Sequence, residues 1–330
     1  MIKSIWVDNF KSLVDFKLEL AKFNCIVGLN GSGKSTVLQA LDFVSQLMVG
    51  DIDAWLKMRS WEKSDLNSKL TKKSNIDFRI VLEIEGQELV WAGSFNRSSL
   101  SCTKETITQN GEKILSVEDS VYTYHSSRQD IVFEYQGSIL SRLKENLQEQ
   151  TLKAVKDKIL NIRSLDLLSP ELLRSRNRSA EGKLGLGGEK LSAFIHESGM
   201  ETKEMLGKEL VKVYPQLDEV KTKSWKSGWK QLEIVESFRN KKLITTARHL
   251  NDGMLRLMAI LIQLDIEKAF LLFDEIENGI NPELIEYLID HLINSDDQIL
   301  VTTHSPMILN FMDYDVARAV QSVLQRYKEL

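Results

Sequence analysis

Residues 28–36 read Gly-Leu-Asn-Gly-Ser-Gly-Lys-Ser-Thr, and this segment restricts the fold more than any other feature of the chain. It fits the pattern G-x-x-x-x-G-K-[ST] of a phosphate-binding loop. Gly28, Gly31 and Gly33 give the backbone conformations that a Cβ atom disfavours, so successive N–H groups can point at one phosphate. Lys34 would bring a positive charge to the β- and γ-phosphates, and the Ser35 hydroxyl can bind Mg²⁺.

The residues around this loop predict a strand before it and a helix after it. Residues 23–27 form a short, mostly apolar run that suits a buried parallel strand. Residues 35–48 place apolar side chains at helical spacing. A strand–loop–helix unit sets the positive end of the helix dipole under the phosphates. We therefore expect an α/β fold of the P-loop NTPase class, in which Asn30, Ser32 and Thr36 also contribute to nucleotide binding.

A second apolar run, residues 269–273, ends in Asp274 and Glu275. In a parallel sheet this ending brings both carboxylates to the edge where ligands bind. Asp274 would hold Mg²⁺ and Glu275 would orient the attacking water. The alternative interpretation is a buried strand that ends in a solvated acidic turn.

His304 follows a third apolar run, residues 299–301, in the sequence Thr-Thr-His-Ser. A histidine at the same sheet edge could hydrogen-bond the γ-phosphate and respond to its hydrolysis. A lone histidine is more often a surface residue, but its position after a strand makes it a candidate.

Residues 249–256 read His-Leu-Asn-Asp-Gly-Met-Leu-Arg and precede a predicted helix. Asn251 or Asp252 can cap that helix, and the free N–H groups at its start offer an anion site. Helix capping alone is a sufficient explanation of these residues.

The middle of the chain differs from both ends. Residues 76–118 contain strand-like runs, and Asn110-Gly111 between two of them predicts a hairpin in an antiparallel meander. The spacing of apolar residues predicts a helix over residues 138–168 and strands within residues 220–246. We predict a discontinuous ATPase core (1–50 and 245–330), an antiparallel β lobe (76–135) and a helical or mixed insert (136–244).

Composition excludes several classes of protein. The net charge is −4, so no global positive field indicates nucleic acid. Two cysteines, Cys25 and Cys102, are too few for a disulfide framework and suit a reducing compartment. We find neither a signal peptide nor a membrane span, and expect a cytoplasmic protein.

One stretch is locally basic and contains two tryptophans, Trp225 and Trp229. It could form a nucleic-acid surface, because phosphates attract cations and aromatic rings stack on bases. We favour a solvated sheet edge guarded by lysines, with the tryptophans in the core. A second basic loop, at Arg163, Arg174, Arg176 and Arg178, could bind nucleic acid, a protein or nothing. The cations of the first stretch are Lys221, Lys223, Lys226, Lys230, Arg239, Lys241 and Lys242.

The order of these motifs resembles the ABC-type ATPases of the SMC-like and OLD-like group, also described as AAA-type ATP-binding proteins. The resemblance includes residues 277–282 (Glu-Asn-Gly-Ile-Asn-Pro) and residues 9–12 (Asn-Phe-Lys-Ser) and, more loosely, the glycine-rich residues 184–191. It covers residues 1–48 and 245–312 and implies an ABC-type nucleotide-binding domain with a mixed sheet, an antiparallel β lobe and an inserted helical arm.

The resemblance implies a head-to-tail homodimer that binds two ATP molecules with Mg²⁺ at the joint. Asn251, Asp252 and Gly253 would act on the nucleotide of the other copy, Glu275 on water and His304 as a switch, while residues 278–282 would cross the dimer joint. In this group the motif that corresponds to residues 250–256, called the signature, usually begins Leu-Ser. Asn251 at its second position implies that activation of hydrolysis on the other copy is slow or needs a partner. Relatives with a nuclease module carry an acidic domain after the ATPase, and too few residues follow His304 for one.

Two functions follow from these features. One is an ATP-hydrolysing switch that drives a separate effector in DNA maintenance or anti-phage defence. The other is a nucleotide-gated scaffold that binds ATP with little hydrolysis. The nucleotide-binding domain of a transporter is a poor alternative, because the signature at residues 250–256 lacks the usual Ser and second Gly.

Overall fold

The computed structural model describes residues 1–118, 120–125, 127–143, 150–239, 241–265 and 268–312, which divide into two units. The N-terminal unit contains Met1–Asn24 and Gly28–Arg163. The C-terminal unit contains Cys25–Val27 and the described residues from 164 to 312.

An antiparallel sheet of eight strands forms the frame of the N-terminal unit, in the order β2-β1-β4-β5-β6-β7-β8-β9. The predicted meander over residues 76–118 is confirmed, since β4 to β7 pair consecutively. Asn110 and Gly111 both have positive φ angles, 49° and 88°, as a two-residue hairpin turn requires. The strands are β1 Ile2–Asp8, β2 Phe16–Glu19, β4 Asn75–Ile84, β5 Gln87–Asn96, β6 Ser101–Gln109, β7 Glu112–Glu118, β8 Val121–Tyr124 and β9 Ser127–Asp130.

Three helices accompany this sheet: α1 Lys34–Val49, α2 Ile52–Met58 and α3 Gln150–Leu160. Helix α1 is the helix predicted after the phosphate-binding loop. It ends at Gly50, whose φ of 77° closes the last turn. Phe43 on α1 stacks on Phe10 at 5.2 Å and meets Phe95 edge-on at 5.1 Å, so the helix is fixed by an aromatic core.

The predicted helix over residues 138–168 is only partly correct. Residues 139–141 form one 3₁₀ turn, α3 covers Gln150–Leu160, and Ile162–Leu165 is a strand, β10. Residues 144–149 lie outside the described ranges. Helical spacing of apolar residues does not exclude the strand, because β10 obtains its hydrogen bonds from a neighbouring strand distant in sequence.

A second sheet has four strands in the order β10-β14-β15-β3, with β3 at Phe23–Val27, β14 at Phe270–Phe273 and β15 at Gln298–Thr303. Strands β14 and β15 are parallel, and Phe273 pairs with Val301. Every residue of both strands is buried, which explains the uninterrupted apolar sequence of β14 and the apolar residues 299–301 of β15. Helices α7, Asp252–Leu264, and α8, Pro282–Asn294, accompany these strands in the chain.

A separate three-stranded antiparallel sheet, β11-β12-β13, follows the helices α4 Pro170–Leu173, α5 Leu191–Glu197 and α6 Gly199–Val211. Its strands are Leu217–Ser224, Lys230–Phe238 and Lys241–Thr246, which confirms the strands predicted within residues 220–246. The predicted lobe, 76–135, lies within the N-terminal unit, whereas the predicted insert, 136–244, is shared by both units. Within the described ranges, no helix is long and apolar enough to cross a bilayer.

Candidate functional site

The phosphate-binding loop has the backbone geometry that its glycines predict. Gly31 and Gly33 have φ angles of 78° and 90°, in the left-handed region that favours glycine. A Cβ atom on Gly28 would lie 2.8 Å from Ser32 Oγ, so a larger residue at this position would displace the Ser32 hydroxyl. The loop follows β3 directly, since Gly28 is the next residue after Val27.

Lys34 lies across this loop. Its side chain is buried, and Nζ donates to the carbonyl oxygens of Gly28, at 2.7 Å, and Leu29, at 3.0 Å. The buried Ser32 Oγ has no hydrogen-bond partner among the described residues. Helix α1 begins at Lys34 without a side-chain cap and has no acidic residue in its first turn. Uncapped N–H groups, an ammonium group and an unsatisfied hydroxyl together fit a phosphate group.

The other predicted loop residues lie where a nucleotide could reach them. Asn30 is exposed in the loop, and Ser35 and Thr36 are half-buried in the first turn of α1. Thr36 Oγ1 lies 3.2 Å from Ser12 Oγ. The turn formed by residues 9–12 is therefore held against the start of α1.

Lys11 belongs to the same turn, although the sequence analysis assigned it no role. Its Nζ lies 3.0 Å from the centre of the Trp61 ring and donates to Gln39 on α1. Burial, with the nearby Arg59 guanidinium, lowers the pKa of Lys11 to about 8. The Asn-Phe-Lys-Ser signal was visible in the sequence, but its proximity to Gln39 depends on tertiary packing.

Asp274 and Glu275 lie at the carboxyl end of β14, as predicted. Thr302, at the end of the paired strand β15, donates its hydroxyl to Asp274 Oδ1 and accepts the Glu275 N–H at 2.9 Å. Glu275 has a φ of 45°, so its backbone turns sharply away from the strand. Both residues are half-buried, so they are partly open to solvent, and their bonds to Thr302 fix them at the end of β15.

Arg256 on α7 holds the loop after β14 through hydrogen bonds to its backbone, which the sequence alone did not indicate. Its guanidinium donates to the carbonyl oxygens of Asp274, at 3.0 Å, and Glu275, at 2.6 Å, and to Asn278 O. Burial lowers the pKa of Arg256 to about 10, against the attraction of neighbouring carboxylates. One buried cation on α7 therefore fixes the backbone that carries Asp274, the candidate metal ligand, and Glu275, the candidate catalytic carboxylate.

His304 lies just after β15, with its side chain 48% exposed, and pairs with a carboxylate that the sequence analysis left unassigned. His304 Nδ1 is 2.9 Å from Glu277 Oε1. The same oxygen accepts from the Thr303 hydroxyl and from the N–H groups of His304 and Ser305. Because a carboxylate oxygen accepts, Nδ1 carries the hydrogen and leaves Nε2 for a substrate.

Asn251, Asp252 and Gly253 form the start of α7, and the structure places the first in the capping role that the sequence allowed. Asn251 Oδ1 accepts the Met254 N–H at 2.7 Å. Asp252 is exposed and forms an ion pair with Arg174. Gly253 is buried, and a Cβ atom there would lie 2.9 Å from Gly279 O. Asn251 and Asp252 remain accessible at the helix N-terminus.

The basic stretch does not form one surface. The two hairpin turns of β11-β12-β13 lie at opposite ends of β12, roughly 26 Å apart at the usual rise per residue. Lys223, Lys226 and Lys230 lie towards one end, and Arg239, Lys241 and Lys242 lie at the other. Lys221 lies between them, opposite Glu233. Strands β11 and β13 are the sheet edges, and their lysines are exposed, as expected for lysines at a sheet edge. Placing the tryptophans in the core was wrong, since both rings are exposed at the turn after β11.

Comparison with known proteins agrees with the geometry of the loop and strands. Residues 23–310 match the family described as "AAA domain, putative AbiEii toxin, Type IV TA system". A segment of 61 residues is 43% identical to the OLD nuclease of Thermus scotoductus. That segment spans 18% of this chain and 10% of the relative's length.

Solved structures share the fold at low sequence identity. The SMC head bound to the C-winged helix domain of ScpA is 18% identical, with 94% of this chain and 92% of that chain covered and a TM-score of 0.59. The SMC head domain from Thermotoga maritima is 14% identical over the same shares, with a TM-score of 0.51. These similarities confirm the predicted ABC-type nucleotide-binding fold.

Proposed function

The chain belongs to the family described as "AAA domain, putative AbiEii toxin, Type IV TA system", within the SMC-like and OLD-like ATPases, and we propose that it binds and hydrolyses ATP. The observation that carries this proposal is the loop at residues 28–36, where Lys34, the uncapped start of α1 and Ser32 Oγ match the groups that a triphosphate needs.

Each part of the chain has a proposed role in this reaction. The loop residues bind the phosphates through backbone N–H groups, and Lys34 offsets charge on the β- and γ-phosphates. Ser35 and Asp274 supply oxygen ligands of the kind that Mg²⁺ prefers. Bound Mg²⁺ would neutralise charge that develops on the phosphate oxygens. Glu275 orients the attacking water, and its backbone is fixed by Thr302 and Arg256.

We also propose that two copies associate head-to-tail around ATP. The accessible start of α7, with Asn251 and Asp252, and the exposed Asn278 and Gly279 are the residues that would face the second copy. Buried Gly253 allows the backbone of residue 279 to approach α7 closely. His304, oriented by Glu277, would respond to the γ-phosphate.

We propose that the protein is an ATP-controlled switch that acts through a partner effector in DNA maintenance or anti-phage defence. The SMC head above was solved bound to the C-winged helix domain of ScpA, which illustrates a fold of this kind with a bound partner domain. The family description itself refers to a toxin system. Two buried free cysteines, Cys25 and Cys102, agree with a cytoplasmic location.

A second candidate is a nucleotide-gated scaffold with little hydrolysis. Asn251 replaces the serine usual in this group, and its Oδ1 is engaged in capping α7. The geometry presented to a second nucleotide therefore differs from that of a serine hydroxyl.

Phosphate release from the purified protein, with Mg²⁺ and with or without DNA, tests hydrolysis against a Lys34→Ala control. Equilibrium binding of a fluorescent ATP analogue to the same two proteins tests nucleotide binding separately. Release above the control supports the ATPase. Binding that depends on Lys34, without release, supports the scaffold, and binding by neither protein contradicts both.

A further inference from the structure

The turn between β11 and β12 presents two exposed tryptophans in a fixed arrangement. Trp225 N–H donates to Trp229 O at 3.0 Å, and Gly228 N–H donates to Trp225 O at 2.8 Å. Gly228 has a φ of 86°, which allows this tight closure. Trp225 and Trp229 are 43% and 39% exposed. Large aromatic side chains with this exposure at a hairpin tip contribute little to the core.

A second segment brings guanidinium groups to the same turn. Asn177 O accepts the Lys230 N–H at 2.9 Å, and Asn177 Nδ2 donates to Glu189 O at 2.8 Å. These bonds fix residues 176–178 beside the start of β12. Arg176 and Arg178, on either side of Asn177, reach different tryptophans. The two basic stretches that were separate in the sequence therefore contribute to one cluster.

Cations lie close to both rings. The Arg176 guanidinium is 5.6 Å and Lys223 Nζ is 4.9 Å from the centre of the Trp225 ring. The Arg178 guanidinium is 5.2 Å from the centre of the Trp229 ring. These contacts order flexible cationic side chains beside exposed aromatic surface before any partner binds. The tip cluster is Arg176, Arg178, Lys223, Trp225, Lys226 and Trp229.

The tip cluster is positive on a chain whose net charge is −4. None of its four cations forms an ion pair with a carboxylate in the part of the chain that the structure describes. Lys221 and Lys242, on the same sheet, do pair with Glu219 and Asp218. Arg174, next to the cluster in sequence, pairs with Asp252. The uncompensated charge is thus concentrated at the tip with the tryptophans.

We infer that the tip cluster binds single-stranded nucleic acid. Bases have π-faces that stack on tryptophan, and the flanking phosphates complement the cations. A duplex hides its base faces within the stack, so two exposed rings favour an unpaired strand. An acidic polypeptide would use the cations but gain less from stacking. This inference concerns a surface that the proposed ATP reaction does not use, so it stands or falls independently of hydrolysis.

Binding is tested by anisotropy of labelled 20-nucleotide DNA and RNA single strands, a matching duplex and polyglutamate, with the full chain. We expect a single strand, DNA or RNA, to bind tighter than the duplex and to quench tryptophan fluorescence saturably. The Trp225→Leu/Trp229→Leu variant should weaken binding by about tenfold or more and remove most of the quenching. The comparison of DNA with RNA identifies which strand is preferred.

Charge variants separate phosphate contacts from stacking. Lys223→Gln/Lys226→Gln should reduce the slope of log K against log salt by about 1.4, at about 0.7 per cation on a single strand. Arg239→Gln/Lys241→Gln, at the opposite end of the sheet, is the charge-matched control and should leave affinity within about twofold. Unchanged urea unfolding of all variants shows that the exposed substitutions preserve the fold.

Any one of four results would overturn the inference. The first is equal affinity for duplex and single strand together with no effect of the tryptophan substitutions. The second is tighter binding of polyglutamate than of nucleic acid. The third is an equal loss of affinity in the Arg239→Gln/Lys241→Gln control. Absence of saturable binding at low salt would have the same consequence.

Discussion

Replacement of Glu277 provides the sharpest test of how the loops after β14 and β15 work together. Glu277 Oε1 accepts from the Thr303 hydroxyl at 2.8 Å, from His304 N–H at 2.9 Å and from Ser305 N–H at 3.2 Å, and it pairs with His304 Nδ1 at 2.9 Å. The side chain is only 9% exposed. No other described carboxylate forms an ion pair with His304.

The expected cost follows from these contacts. Glu277→Ala removes a charged acceptor from a hydroxyl and two N–H groups, at about 1–2 kcal/mol for each bond lost. The Ser305 N–H keeps the Thr303 hydroxyl oxygen at 2.9 Å, and the Thr303 hydroxyl can still donate to Ser305 O at 3.3 Å. Of these three donors, the His304 N–H is therefore left without an acceptor. Glu277 Oε2 is buried without a hydrogen-bond partner in the described structure, so removing it recovers part of this loss. We expect a net loss of roughly 2–4 kcal/mol in the free energy of unfolding. Glu277→Gln keeps an acceptor of the same shape but not the charge, and should cost about 1–2 kcal/mol.

If hydrolysis occurs, the effect on it should fall on kcat rather than on KM. Loss of Glu277 releases the His304 ring but leaves the phosphate-binding loop intact, so kcat should fall by about tenfold or more. Steady-state phosphate release and urea unfolding measure the two effects, with exposed Glu286→Gln on α8 as the control. His304→Ala should lower kcat similarly, and Glu277→Ala should add little in the His304→Ala background.

Multiplicative losses of kcat in the double variant would refute this reasoning, because Glu277 would then act independently of His304. A Glu277→Gln variant with wild-type kcat and stability would also refute it, since the charge of Glu277 would then be irrelevant to the histidine.

Three further predictions concern other parts of the candidate site. Glu275→Gln should trap an ATP-bound dimer, and light scattering that shows a monomer at saturating ATP and Mg²⁺ would count against head-to-tail association. Arg256→Met should reduce the free energy of unfolding by about 2–4 kcal/mol, because three carbonyl oxygens lose a charged donor, and a loss below about 1 kcal/mol in urea would contradict this. The pKa of Lys11 is lowered to about 8. A bound triphosphate would raise it, so ATP binding should take up protons near pH 9 and weaken as pH rises above 8. Calorimetry in two buffers of different ionisation enthalpy measures this uptake, which Lys11→Met should abolish.

Local sequence was sufficient for the elements that carry the candidate site. Glycine spacing predicted the loop that now shows positive φ at Gly31 and Gly33. Uninterrupted apolar runs predicted β14 and β15, and the polar residues that follow them marked the strand ends. These predictions succeeded because backbone conformation and strand burial depend mainly on neighbouring residues.

Contacts between segments far apart in the chain could not be predicted from local sequence. Helical spacing over residues 138–168 concealed β10, whose strand neighbours lie far along the chain. Arg256 looked like an ordinary residue of a helix, yet its guanidinium supports the loop after β14. Arg176 and Trp225 belonged to two unrelated basic stretches until the bond between residues 177 and 230 brought them together.

By itself, the sequence therefore determined that this chain has a phosphate-binding loop, two acidic residues at one strand end and a histidine at another. Only the tertiary structure decided which side chain orients His304, because Glu277 reaches it through the parallel pairing of β14 with β15. It also decided that the tryptophans are exposed beside arginines rather than buried. The physical reason is that local conformation is set by adjacent residues, whereas hydrogen-bond partners and burial are set by packing between segments that the chain keeps far apart.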